Sequence, residues 1–169
     1  MSVLKILTDP DPRLRKAAAP VTTFDEKLKS IISDMADTMY LAPGVGLAAT
    51  QAGIDMQLLI YDPEPDPKVK NFKVLVNPEI ISSNGEVLSE NEGCLSVPDF
   101  RADVKRADTI SVKGMDENGK SLEFEADDFV SVILQHEIDH LNGILFIDHI
   151  SALKRHIYRR KLKKELKHK

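Results

Sequence analysis

The chain has a single cysteine in 169 residues, no segment that repeats at a fixed period, and no apolar run near the ~18 to 20 residues needed to cross a bilayer. Each absence closes a class. A lone Cys94 cannot form an intramolecular disulfide, so nothing in the sequence points to an oxidising compartment. The first ten residues lack the basic segment and long apolar stretch of a secretion signal and the Arg/Ser-rich, acid-poor character of a transit peptide. The expectation is a cytoplasmic protein, unprocessed apart from its initiator end. What is present supports a core: 42% of residues are apolar, and one domain of this length buries roughly two-thirds of the surface its unfolded chain exposes. A disordered polyelectrolyte is thereby excluded.

The formal charge of −4 conceals an uneven distribution. From Ala152 to Lys169 nine basic residues face one acidic residue, Glu165, so the tail carries +8 and the remainder −12.

Thr23-Phe24-Asp25-Glu26 matches a capping box, and Phe24, Leu28, Ile31, Ile32, Met35 and Met39 follow at helical spacing until Pro43. This predicts a helix over Asp25 to Leu41. Leu58 to Tyr61 reads as a strand, followed by an exposed loop stiffened by Pro63, Pro65 and Pro67. Val74 to Ile81 is a second strand whose Pro78 requires an edge or a bulge. Asn118-Gly119 marks a hairpin between Thr109–Met115 and Ser121–Ala126. A further helix, capped by Asp127-Asp128 and ended by Gly143, is apolar almost all round and is expected to be buried. The last element is a basic helix from about Ser151. The pattern predicts an α+β fold: short antiparallel or mixed sheets around a buried metal-binding helix, flanked by an N-terminal and a C-terminal helix. Residues 1–150 form one catalytic domain in this reading, and 151–169 extend it as the basic C-terminal helix.

The buried helix carries His136-Glu137-Ile138-Asp139-His140. At 100° per residue His140 lies about 40° round from His136 and one turn on, so both imidazoles reach one ion from the same face. Glu137 sits beside that face, where a carboxylate can exchange a proton with a metal-bound water. Four polar residues inside an apolar helix would be costly to desolvate without partners, which favours a metal site over chance.

Two histidines leave the ion short of ligands. Cys94, in Glu92-Gly93-Cys94-Leu95-Ser96, leads the candidates for a third because a thiolate is the strongest soft donor available. Asp139, His149 and Glu92 are the alternatives, with Asp139 better suited to a supporting role. Gly44 to Gln51 is small and apolar almost to its end. It permits close approach of another backbone, and the Gln51 amide can donate to a developing oxyanion. Its Gly-x-Gly follows a helix rather than a strand, so it is no dinucleotide fingerprint.

Taken together, Gly44–Gln51, Glu92–Ser96 and Gln135–Gly143 resemble, in order, the three motifs of the bacterial-type peptide deformylases: Gly-apolar-Gly-apolar-Ala-Ala-x-Gln, Glu-Gly-Cys-apolar-Ser and Gln-His-Glu-x-Asp-His-apolar-x-Gly. The resemblance implies one ion held by Cys94, His136 and His140, natively Fe(2+), with zinc, nickel or cobalt able to substitute. It implies removal of the N-formyl group from the N-terminal formyl-methionine of newly synthesised polypeptides, with release of formate. Glu137 would be the general acid/base, and the Gln51 side chain and the Leu95 N–H would hold the oxyanion. Phe129, Val132 and Ile133 fall within about 60° of His136 on the helix and form an apolar wall suited to methionine. Val45 and Leu95 would close the pocket opposite, with Gly46 beside them. The peptide backbone would pair along the exposed edge of Val45 or of a neighbouring strand, and Arg101 would lie near the bound peptide. The basic tail would dock on the anionic ribosome near the exit tunnel without reading nucleic-acid sequence. Deleting Tyr158 to Lys169 would then leave small-peptide turnover intact. The rival is a zinc metallopeptidase sharing His-Glu-x-x-His, which would take its third ligand downstream of the helix, whereas Cys94 lies upstream.

Overall fold

The computed structural model describes residues 2–168. Helix α1 (Glu26–Leu41) is followed by the short strand β1 (Gly46–Ala48), a single 3-10 turn (Ala49–Ala52), β2 (Leu58–Tyr61) and β3 (Lys73–Asn84). The strands β4 (Val87–Cys94) and β5 (Val97–Arg106) then form a hairpin, as do β6 (Thr109–Met115) and β7 (Ser121–Asp127). Helix α2 (Asp128–Leu141), a 3-10 turn (Phe146–His149) and helix α3 (Ala152–Lys167) complete the chain. The architecture is α+β. A five-stranded sheet in the order β1-β2-β3-β6-β7 stands beside the separate two-stranded β4-β5 sheet, and every pairing is antiparallel.

The four residues of β2 explain the layering. Leu58 and Ile60 point to one face and pack under Leu28, Ile32, Met35 and Met39 of α1. Leu59 and Tyr61 point to the other and pack under Ile133, Leu134, Ile138 and Leu141 of α2. A strand covered on both faces reads as an unbroken apolar run, which Leu-Leu-Ile-Tyr is. A third core lies apart from these two: Val97, Ala102 and Val104 of β5 pack with Leu145, Phe146, Ile147, Ile150 and Tyr158.

Several sequence expectations change in detail. The cap of α1 is Asp25, whose carboxylate accepts the Leu28 N–H at 3.0 Å, and not Thr23. Strand β3 is internal to its sheet, so Pro78 is accommodated by the register shift between Val76 and Glu79. There Asn77 takes φ of +51° and its side chain bonds both backbone groups of Val21. The loop after β2 is anchored at its base, because Asp62 is fully buried and accepts from the Tyr40 hydroxyl at 2.6 Å. Asp127 occupies the cap position of α2 without a side-chain capping bond. That helix is not buried all round: Phe129, on its first turn, is 47% exposed. On α3, Leu153 and Ile157 face solvent, Tyr158 is buried, and Leu162 packs half-buried beside it.

Candidate metal centre and peptide cavity

Two local structures meet here. Helix α2 presents His136 and His140 one turn apart, and the β4–β5 hairpin brings Cys94 to them at the last residue of β4. The Cys94 Sγ lies 3.2 Å from His140 Nε2, which lies 3.2 Å from His136 Nε2, and all three donor atoms fall within 4.8 Å of one another. The electron pairs of two imidazoles and one thiol converging on a point suit a divalent transition metal with a position left open for a further ligand. The three donors therefore fit such an ion, and Cys94 occupies the place for which Asp139, His149 and Glu92 were alternatives.

Those three residues instead hold the ligands in place. Glu92 Oε1 takes the Nδ1–H of His136 at 2.7 Å, which leaves the Nε2 lone pair aimed at the donor cluster. Arg106 forks onto Glu92 with two nitrogens, and its Nη1 donates to Asp139 at 2.8 Å. Asp139 in turn receives His149 Nε2 at 2.8 Å. Nothing in the sequence reading singled out Arg106, because an arginine at the end of a polar strand carries no mark of burial. Burial opposes the charge on Glu92, but its bonds to His136 and Arg106 outweigh that and hold its pKa at about 2.

Glu137 lies one residue from the ligand face and is buried. Its Oε1 has no hydrogen-bond partner among the described residues. Desolvation pushes its pKa up to about 7, so the carboxyl group can both take and give a proton near neutrality. Its other oxygen rests against Gly46: a Cβ there would sit 2.7 Å from Glu137 Oε2. Glycine at position 46 thus leaves room for the carboxylate. Burial also works against the charged form of both imidazoles. It prevails at His140, whose pKa falls, while at His136 the charge of Glu137 and the hydrogen bonds to Cys94 and Glu92 raise it. The ionised Glu92 beside them favours a cation at the point where the donors meet.

Gln51 is held by the Ala48 N–H on its Oε1 at 3.0 Å, and its amide nitrogen faces Ser96 Oγ at 3.1 Å and Cys94 Sγ at 3.7 Å. Leu95 and Ser96 form the two-residue turn between β4 and β5. A cavity of about 660 Å³ opens over the cluster. Val45, Gly46, Gln51, Leu95, Arg101, Phe129, Val132, Ile133 and Glu137 all border it, as do the ligands Cys94 and His136, while His140 lies behind them. The exposure of Phe129 follows from its place on this wall. Arg101 lies over Gly93 and donates to the Asn91 carbonyl at 3.3 Å. The carbonyl of Val45 accepts the Asp62 N–H at 2.9 Å, and β1 is the outer strand of its sheet. Phe146, unremarked in the sequence, stacks on His136 with ring centroids 6.3 Å apart.

An α+β fold with two histidines on a buried helix, a thiol arriving from upstream and a carboxyl group beside them defines a metal-dependent hydrolase with an apolar substrate cavity. The polypeptide deformylase family model matches residues 3–156. A peptide deformylase of Desulfosudis oleivorans is 48% identical over 167 residues, covering 99% of this chain and 96% of the relative. One from Brucella suis biovar 1 is 48% identical over 164 residues, covering 97% and 94%. The crystal structure of a peptide deformylase from Legionella pneumophila superposes with a TM-score of 0.90 at 51% identity, covering 98% of this chain and 96% of that one. A class I type b peptide deformylase from Acinetobacter baumannii with Met-Ala-Ser bound superposes at 0.83 with 39% identity, covering 89% and 100%. The chain belongs to the peptide deformylase family. It is a hydrolase that removes the N-formyl group from new polypeptides in a metal-dependent reaction. No helix among the described residues is long and apolar enough to cross a membrane.

Proposed function

We propose that Cys94, His136 and His140 hold one Fe(2+) ion and that Glu137 is the general acid/base of deformylation. The observation that carries this reading is a buried carboxyl group, one oxygen of it unpartnered among the described residues, beside three converging donors. Iron follows from the family resemblance alone, since affinity order would favour zinc in the same donors. When bound, such an ion supplies Lewis acidity that lowers the pKa of water and polarises a carbonyl. Glu137 takes the proton of the attacking water and returns it to the departing amine, and formate leaves. The Gln51 amide and the Leu95 N–H hold the formyl oxygen as it becomes anionic. Phe129, Val132, Ile133 and Val45 enclose the methionine side chain, and Gly46 keeps the approach to Glu137 open. Arg101 lies at the cavity mouth beside the residues that follow. The Met-Ala-Ser bound to the Acinetobacter relative supports a peptide that begins with methionine.

The catalytic domain spans 1–150 in this reading, with 151–169 its extension, and the enzyme works in the cytoplasm. The exposed basic face of α3 docks on the ribosome, whose RNA attracts it by counterion release. The test of the site is Glu137→Ala prepared without oxygen beside Cys94→Ala. Glu137→Ala retains its metal and loses release of formate from formyl-Met-Ala, while Cys94→Ala loses the metal as well. Turnover by Glu137→Ala at the parent rate would refute the acid/base role.

A further inference from the structure

Helix α3 is fastened to the wall of the peptide cavity. Its one buried residue, Tyr158, lies with its ring 4.9 Å from that of Phe100, which lines the cavity. One turn on, Lys161 donates from Nζ to the Asp99 carbonyl at 2.8 Å. Asp99 has φ of +63°, a left-handed conformation uncommon for a residue with a side chain. Pro98, Asp99, Phe100 and Arg101 all border the cavity. The Tyr158 hydroxyl also donates to Asp9 Oδ2 at 2.7 Å, and the Asp9 N–H donates to the Ser96 carbonyl at 2.8 Å, in the turn that follows Cys94. One helix therefore holds the β4–β5 hairpin at two points. Deleting the chain from Tyr158 onward would remove both, so such a deletion does not isolate the charge of the tail from the cavity.

We propose that α3 braces the cavity wall, with Lys161 as a positioning residue that fixes Pro98–Arg101 for binding the peptide residues after formyl-methionine. Lys161 touches no reacting atom. Without its bond the Asp99 carbonyl is released, the left-handed backbone relaxes, and the wall must be ordered again by each incoming peptide at a cost in affinity. Proton transfer at Glu137 is unaffected. This inference rests on the assignment of the cavity as the peptide site.

The test uses the full-length, metal-loaded enzyme with formyl-Met-Ala-Ser and with formyl-methionine, which lacks the downstream residues. In Lys161→Met the KM for formyl-Met-Ala-Ser rises about three- to tenfold with kcat within about twofold. The preference for the tripeptide over formyl-methionine, taken as a ratio of kcat/KM, falls by the same factor, and Lys161→Arg restores both. A merely structural role for α3 would move the melting temperature and not that ratio. Val132→Phe, which narrows the cavity itself, serves as the second variant. If it raises KM while Lys161→Met leaves KM unchanged, the brace is refuted and the cavity assignment stands. If neither variant changes KM, the cavity assignment falls and the brace with it.

Discussion

Replacing Arg106 by methionine removes a guanidinium while roughly keeping its volume, and the structure makes the consequence calculable. The Arg106 side chain is 3% exposed and bridges Glu92, 7% exposed, to Asp139, 21% exposed. Its loss leaves the Glu92 carboxylate buried with His136 as its remaining partner. Breaking a buried pair from one side costs about 3–5 kcal/mol, a large share of the roughly 5–15 kcal/mol that holds a domain together. At about 2–4 °C per kcal/mol for a chain of this size, the melting temperature falls by about 6–20 °C. Because Glu92 also orients His136, metal affinity falls by about 10- to 100-fold. Thermal melts of the anaerobically prepared, metal-loaded protein and competition against a chelator measure the two effects. Arg106→Lys keeps the charge but not a fork reaching both carboxylates, so it lies between parent and methionine variant and preserves the test if Arg106→Met does not fold. A methionine variant melting within about 2 °C of the parent, and holding its metal equally well, would refute the claim that this bridge positions His136.

Gly46→Ala places a Cβ 2.7 Å from Glu137 Oε2 and displaces the carboxylate. It is expected to cut kcat by about 10²- to 10⁴-fold with metal content retained, and a kcat near that of the parent would remove Glu137 from the reaction. At high pH two phenols matter, the half-buried Tyr40 and the buried Tyr158. Burial and the bond to Asp62 raise the pKa of Tyr40 to about 12, and burial with Asp9 raises that of Tyr158 further. Folding favours the protonated form, so this stabilisation is complete below the ordinary tyrosine pKa of about 10 and is lost as pH rises through about 12. Denaturant midpoints measured from pH 9 to 12 should fall, and should fall less in Tyr40→Phe; a flat parent profile would contradict this. Neutralising the exposed Arg159, Arg160, Lys163 and Lys164 as glutamines leaves Tyr158 and Lys161 in place, and should abolish co-sedimentation with ribosomes at low salt. Undiminished co-sedimentation would place the docking surface elsewhere.

Periodicity alone determined much of this protein. The i, i+4 spacing of His136 and His140 puts two imidazoles on one face of any helix that forms, and Glu137 beside them, because that geometry is local. The run Leu58–Tyr61, the Asn118-Gly119 turn and the extent of α1 were legible for the same reason. Tertiary structure decided what local rules leave open. The β4–β5 hairpin carries Cys94 to the helix, yet its Ser-Glu-Asn-Glu-Gly stretch has little strand preference, its register shifts twice, and its Leu95-Ser96 turn has neither glycine nor asparagine. Arg106 is buried only because Glu92 and Asp139 arrive from two other elements to neutralise it. The inward stripe of α3 was only partly readable from its own residues: Leu162 packs inward, yet Leu153 and Ile157, as apolar as a core position requires, face solvent. Tyr158 is the residue buried outright because Phe100 and Asp9, brought there by the hairpin and the N-terminal segment, offer its ring a surface and its hydroxyl an acceptor.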